Sequence, residues 1–578
     1  MTMNDPFRMD ISRHIWATRY RAEGEADIRA SWRRVARAIA AAENSAADAW
    51  AERFYTLLED FRFLPGGRIL AGAGTGHRVT LFNCFVMGEI ADDLERIFDA
   101  LKEGALTMQQ GGGVGYDFSP LRPAGTPATT THTIASGPVS FMRIWDAMCA
   151  TLLSTGARRG AMMATLRCDH PDIEIFVDAK RDPAELRHFN LSVLVSDALM
   201  QAVADDADWP LTFPGLGVVR TVKARDLWQR ILNAAYDTAE PGVLFVDTIN
   251  RDNTLVAIET LTATNPCGEI PLPPYGACDL GSLNLTAFVT APFTAAARLD
   301  LDRLADAART AVRFLDDVID VSRYPLPAQA EEARCKRRIG LGITGLADAL
   351  VLLGLDYGSE AARALSSRAM QTLRDTAYRA SVELAREKGA FPAFDARSFL
   401  ASGFAARLPD DIRAEIAAHG LRNSHLLAIA PAGTISLLAN NCSSGIEPVF
   451  AGEAERRVLQ GDGRYVTHRV LDYALYCWQA QGGTGMPPAF VVARQLDPEA
   501  HLAMQAALQP FVDNAISKTI NVAADIAFER FEDLYRRAHA LGLKGCTVFR
   551  PNPVTGAILS EPAATERVQC CGIEREAD

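Results

Sequence analysis

Three side chains suited to acid–base and one-electron chemistry alternate in the segment ATNPCGEIPL: the Asn265 amide, the Cys267 thiol and the Glu269 carboxyl, separated by Pro266 and Gly268. Proline and glycine argue against a helix there. In an extended chain the side-chain period of two would project all three groups from one face, with neighbours about 7 Å apart. A thiol, an amide and a carboxylate would then meet one substrate. Asn-Pro-Cys-Gly is also a good turn sequence, and an isolated cysteine is more often a small buried hydrophobe than a catalyst. The segment alone leaves both readings open.

Other cysteines shift the balance toward chemistry. Cys278 follows eleven residues on, in YGACDLGSLNL, and Cys84 lies far upstream in VTLFNCFVMG. The chain has eleven cysteines, an odd number with no CxxC, which argues against a secreted disulfide scaffold or a zinc ribbon. Paired cysteines here are therefore expected to be catalytic rather than structural, and no metal is expected on protein side chains. Pro431-Ala432-Gly433-Thr434-Ile435-Ser436 precedes a helix-like run, so its N–H groups and hydroxyls could cradle an anion, although an ordinary helix cap reads the same way.

Two glycine motifs invite a nucleotide reading and do not support it. GLGITG at Gly340–Gly345 fits G-x-G-x-x-G, but EARCKRRI precedes it where a dinucleotide fold needs a hydrophobic strand. Tight backbone packing accounts better for those glycines. GGGVG at Gly111 lacks the Lys-Ser/Thr of a phosphate loop and runs into strand-like YDFS.

The elements that must position these groups follow from periodicity. Ile28, Trp32, Val35, Ile39 and Ala42 form one stripe of a helical N-terminal region. Beyond it, helical stretches at 94–110, 140–155, 224–238, 301–321, 361–388 and 527–541 alternate with strand-like HFNLSVLV, LLAIA and CTVF. That alternation predicts an α/β fold. After Phe549 the Pro- and charge-rich sequence loses periodicity and reads as a tail carrying Cys570 and Cys571. The expected division is 1–60 helical, 61–551 barrel and 552–578 tail.

Bulk properties narrow the partners. The chain has 578 residues, 48% hydrophobic and 22% charged, enough for a large buried core without a membrane. A formal charge of −12 disfavours a nucleic-acid polymer and leaves small anionic ligands open. MTMNDPFRMDISRHIW lacks the regions of a signal peptide, so the expected location is the cytoplasm.

NPCGEIPL followed by ACDLGSLNL, with LFNCF, GGGVGYDFSPLRPAG, SGPVSFMRIWDA, ARRGAMMATLRCDHPDI, RRIGLGITGLADAL and PAGTISLLANNCSSGIEP, resembles the catalytic chain of ribonucleotide reductases, in the same order from about Phe61 to Pro551. The resemblance implies a ten-stranded α/β barrel with the Cys267 loop threaded through its centre. It also implies that Cys267 carries a thiyl radical, Glu269 is general base on the substrate 3′-hydroxyl, Asn265 bonds the ribose, and Cys84 with Cys278 forms the reducing dithiol. Residues 432–436 would hold substrate phosphate, with Asn83 and Ser119 lining the pocket. Arg158 and Arg159 fall in the loop through which a deoxynucleotide or ATP effector tunes substrate choice.

The class within the family is read from what replaces a tyrosine relay. The place near the C-terminus where the metal-dependent class carries adjacent tyrosines reads LKGCTVFRPN, and Gly572 lacks the surroundings of a glycyl radical. GLKGCTVFRPN resembles the cobalamin-dependent class, which implies adenosylcobalamin as radical source and no radical-generating subunit. Cys570 and Cys571 would renew the dithiol and be recharged by a thioredoxin-type reductant, although the family's tail cysteines are usually separated. GRILAGAG places Gly67 where a hydroxyl residue is common. Diphosphate substrates and a homodimer complete the expectation. The rivals are a same-fold reductase served by a metal-radical subunit and a nucleotide-binding protein without catalysis.

Overall fold

The computed structural model describes residues 5–127, 134–152, 161–459 and 465–551. Nine strands carry the centre of the molecule: β1 (Cys84–Val86), β2 (Gly113–Asp117), β3 (Met162–Arg167), β4 (Phe189–Val195), β5 (Gly242–Phe245), β6 (Ala277–Asn284), β7 (Ile339–Thr344), β8 (Thr519–Asn521) and β9 (Gly545–Phe549). β1 to β5 pair in order and in parallel. β6 joins β7 in parallel, and β8 joins β9 in parallel.

The ring is closed by a tenth stave, the extended segment 426–430. Leu427 bridges Leu341 of β7, and Ile429 bridges Ile516 just ahead of β8, both in parallel. The two five-stave halves meet antiparallel at β1–β6 and at β5–β9. The result is a ten-stave α/β barrel, with Phe63–Pro65 added antiparallel on β6.

Strands covered on both faces should be apolar throughout. All eight residues of β6 and all six of β7 are buried. Outside, the helix Leu301–Val321 packs its stripe of Leu304, Ala308, Ala311 and Leu315 on these strands. The expectation for GLGITG holds, since it is a buried strand and a β-carbon on Gly342 would lie 2.2 Å from the Ala428 carbonyl oxygen.

N-terminal to the barrel, Asp27 caps the helix Ile28–Ala40 by accepting from Ala30 N, and Ile28, Trp32, Val35 and Ile39 are buried. This helix packs on Ala47–Leu58 and on Leu301–Val321. Ala42 falls past its end, in a 3-10 turn.

One expectation is corrected. Residues 265–269 are not extended: two-residue strands Ala263–Thr264 and Pro271–Leu272 pair antiparallel, and the chain between them turns, with Gly268 N donating to Asn265 O at 3.1 Å. Proline fixes the first turn residue, and Gly268 takes φ +81°, a conformation that costs glycine least. The hairpin lies inside the barrel. It touches β2 where a β-carbon on Gly115 would sit 1.9 Å from Thr264 O, and β3 through Thr165 Oγ1 donating to Thr262 O at 2.8 Å. It is also held by Asn190 Nδ2 of β4, which donates to Pro266 O at 2.9 Å, and by Ala515 N, which donates to Glu269 O at 2.9 Å.

Candidate active site

The turn gathers its polar groups on Cys84 rather than on one strand face. Asn265 Nδ2 donates to Cys84 Sγ at 3.1 Å, and the Cys84 thiol lies 4.0 Å from Glu269 Oε1. The Asn265 amide is locked, since its Oδ1 accepts from Ile270 N at 3.1 Å and from Thr264 Oγ1 at 3.2 Å. Its nitrogen is thereby aimed at the thiol.

β1 and β6 place Cys84 directly opposite Cys278. Directly opposed residues on antiparallel strands have Cα atoms about 4.5–5.5 Å apart, inside the range of about 4.4–6.8 Å that a disulfide accepts. Both are buried cysteines that are not joined in a disulfide. Val86, Ala263, Ile270, Leu272, Leu280 and Ala428 surround them in an apolar cluster separate from the main core. Burial pushes the Cys278 thiol well above the usual range. It therefore rests as a protonated thiol rather than a thiolate.

Glu269 is buried, and desolvation raises its carboxyl to about 7 against the pull of the Asn265 hydrogen bond. Its Oε2 and the Asn83 Oδ1 are buried and have no hydrogen-bond partner among the described residues. Both residues line a small cavity of about 40 Å³ with Cys84, Asn265, Cys267, Ser282, Ala432 and Ile435. Orphaned polar atoms lining a cavity call for a polar ligand.

Cys267 is half-buried and opens on a second, larger cavity of about 970 Å³. Gly433 and Ser436 form part of its wall, at the start of the helix Gly433–Leu438 whose cap residue Ala432 has φ +43°. Thr434 lines neither cavity. Ser119 is 2% exposed and its hydroxyl accepts from Arg167 N at 2.9 Å, so it too stands outside both linings. Arg158, Arg159, Cys570 and Cys571 lie outside the described residues.

Sequence reasoning missed Lys518 and Glu447, which line the larger cavity. The buried Lys518 ammonium donates to Glu447 Oε2 at 2.6 Å, Thr519 O at 2.6 Å and His501 Nδ1 at 2.8 Å. A lone lysine in the otherwise uncharged AISKTINVAA was the available signal.

Comparison with known proteins decides the family. The profile described as "Ribonucleotide reductase, barrel domain" matches residues 82–549, and "Ribonucleotide reductase, all-alpha domain" matches 7–78. The chain belongs to the ribonucleotide reductases. A Mycobacterium tuberculosis protein named vitamin B12-dependent ribonucleoside-diphosphate reductase is 42% identical over 558 residues, covering 92% of this chain and 77% of that protein. A Thermoplasma acidophilum protein of the same name is 36% identical over 542 residues, covering 90% and 68%. The vaccinia virus ribonucleoside-diphosphate reductase large subunit is 28% identical over 567 residues, covering 87% and 72%. Among the described residues no helix is long and apolar enough to cross a membrane.

Proposed function

We propose that this chain reduces ribonucleoside diphosphates to 2′-deoxyribonucleoside diphosphates by radical chemistry at Cys267, with adenosylcobalamin as cofactor. The observation that carries it is the convergence of the Asn265 amide and the Glu269 carboxyl on Cys84, on the turn that also bears Cys267, with Cys278 opposite.

The residues act in a balanced sequence. The Cys267 thiyl takes the hydrogen atom of C3′ and becomes a thiol, while Glu269 accepts the proton of the 3′-hydroxyl. The 2′-hydroxyl leaves as water with a proton from the Cys84–Cys278 dithiol. Formation of the S–S bond supplies two electrons, the second dithiol proton completes the hydrogen at C2′, Cys267 returns its hydrogen atom to C3′, and Glu269 gives its proton back to the 3′-oxygen. Asn265 holds the thiol and ribose in register. Ala432 to Ser436 hold the phosphates, with Asn83 toward the ribose.

When bound, adenosylcobalamin supplies a carbon-centred radical that can take the thiol hydrogen of Cys267. The site fits such a group: the cavity of about 970 Å³ stands at the upper end of small-molecule sites, at about 300–1,000 Å³, and Cys267 is in its wall. Asn190, Ser192, Asn521 and Thr547 would bond the amide-bearing periphery of the ring system.

Cys570 and Cys571 renew the dithiol and take electrons from a thioredoxin-type protein, residues 158–159 answer a nucleotide effector, and the chain works as a cytoplasmic homodimer. A helical region to about residue 60 caps the barrel of 61–551, and 552–578 serve as the tail. The test is conversion of a ribonucleoside diphosphate by purified protein with adenosylcobalamin and dithiothreitol. Deoxynucleotide is expected from these components alone; a requirement for a second, metal-bearing subunit would overturn the cofactor assignment.

A further inference from the structure

The motif GLGITGLAD, which fails as a dinucleotide loop, grips the turn that follows the Gly433–Leu438 helix. Ser443 is held on three sides: its N donates to Asp348 Oδ2 at 2.5 Å, and its carbonyl accepts from Gly345 N at 2.7 Å and Thr344 Oγ1 at 3.0 Å. Its hydroxyl accepts from Asp348 N at 3.2 Å, and Gly445 N donates to Thr344 Oγ1 at 3.1 Å. Asp348 is itself fixed by Ala474 N at 3.1 Å and by a hydrogen bond to the carboxyl of Asp472. Asp348 and Asp472 are both buried, and two carboxyl groups bonded to each other share one proton.

The gripped turn needs holding. Asn440 and Asn441 stand consecutively in the left-handed region, at φ 61° and 56°, so nothing regular continues the helix there. The turn also reaches the proposed phosphate site: Ser444 Oγ lies 3.2 Å from Ser436 Oγ, and Asn441, Ser443, Ser444 and Asp472 line the cavity with Gly433 and Ser436.

We propose that Thr344, Gly345 and Asp348, backed by Asp472, form a clamp that fixes residues 441–444 against the phosphate-holding helix and so sets affinity for the diphosphate end of the substrate. Asp348 is a positioning residue, acting through Ser443. The inference rests on the reading of Gly433–Ser436 as the phosphate site.

The experiment measures reduction of a ribonucleoside diphosphate by the full chain with adenosylcobalamin and dithiothreitol, together with inhibition by inorganic pyrophosphate and by the phosphate-free nucleoside. Asp348→Ala and Thr344→Val are each expected to raise KM and the pyrophosphate Ki by about tenfold, the scale of a lost buried hydrogen bond. Nucleoside inhibition should not change. Asp348→Asn, which keeps an acceptor for Ser443 N, should give a smaller rise. An unchanged pyrophosphate Ki, or equal weakening of nucleoside and pyrophosphate, overturns the clamp. If Asp348→Ala does not fold, Thr344→Val decides by the same criteria. Ser436→Ala separates the two readings: no effect of Ser436→Ala on pyrophosphate sinks the phosphate site itself, whereas an effect there with none from Thr344→Val and Asp348→Asn sinks only the clamp.

Discussion

Cys267 and Cys84 line one small cavity, yet Cys267 and the Cys84–Cys278 pair live in different surroundings. Cys267 sits half-exposed on a glycine turn at the wall of a large cavity, where a bulky ligand can reach it. Cys84 and Cys278 sit on opposed strands inside an apolar cluster, where burial holds the Cys278 thiol protonated. The difference suits the two duties proposed for them. A thiol that must exchange a hydrogen atom with an outside radical needs access, whereas a dithiol that must keep its protons until substrate arrives needs dryness and a fixed partner.

The comparison breaks first at sulfur. Cys267→Ser should abolish deoxynucleotide formation, a loss of at least about 10⁴-fold as when one member of a catalytic unit is removed. Cys278→Ser should also stop turnover but leave Cys267 able to exchange hydrogen with substrate. Tritium washout from a 3′-tritiated ribonucleotide separates the two. Washout in the Cys267 variant, or none in the Cys278 variant, would contradict the division of labour.

Much of this arrangement was legible in the chain because its residue types are chemically demanding. Cys84, Asn265, Cys267, Glu269 and Cys278 are brought together, and the α/β alternation, the tight backbone packing of GLGIT and the helix after Pro431 are all present. What escaped was conformation set at long range. Period-two projection placed Asn265, Cys267 and Glu269 on one face, but Pro266 and the positive φ of Gly268 make a turn, and both polar groups reach Cys84 from it. Ser119 spends its hydroxyl on Arg167 N, a partner 48 residues away that no local pattern reveals. Lys518 is buried only because Glu447 and His501 arrive from other segments.

A smaller break comes from moving the hairpin as a whole. A β-carbon on Gly115 would lie 1.9 Å from Thr264 O, a backbone atom that cannot yield without shifting the turn. Gly115→Ala should cost about 1–3 kcal/mol of stability, the range for overpacking a core. Turnover should fall further than the melting temperature alone explains, because the Asn265 and Glu269 contacts to Cys84 move with the strand. Retained activity in a folded Gly115→Ala protein would show that the hairpin tolerates displacement.

Glu269 sharpens the comparison through pH. Its folded pKa of about 7 lies above its ordinary value of 4.5, so the ionised form is disfavoured in the native state. The associated stability is present below about pH 4.5 and lost as pH rises through 7, a span worth about 3 kcal/mol at the upper limit. Catalysis runs the other way, because a general base must be ionised, so kcat/KM should climb through about pH 7 to a plateau. Glu269→Gln should flatten both profiles, lowering activity while raising stability at pH 8 relative to the parent. A pH–rate curve unchanged by the substitution would remove Glu269 from the proton step.

The smallest effect tests the turn itself. Gly268 has φ +81° and open space where a β-carbon would go, so Gly268→Ala meets no clash and pays only for its backbone conformation. That penalty is about 1 kcal/mol, about 1 °C in melting temperature for a chain of 578 residues. Cys267 precedes it, so any relaxation of φ would swing the thiol relative to Asn265 while leaving the Cys84–Cys278 register, which belongs to β1 and β6, untouched. The variant should therefore lose several-fold in kcat while the midpoint potential of the dithiol, titrated with glutathione, stays at the parent value. A shift in that potential would mean that the radical turn and the dithiol are mechanically one unit, and that access and dryness are set together rather than by separate elements.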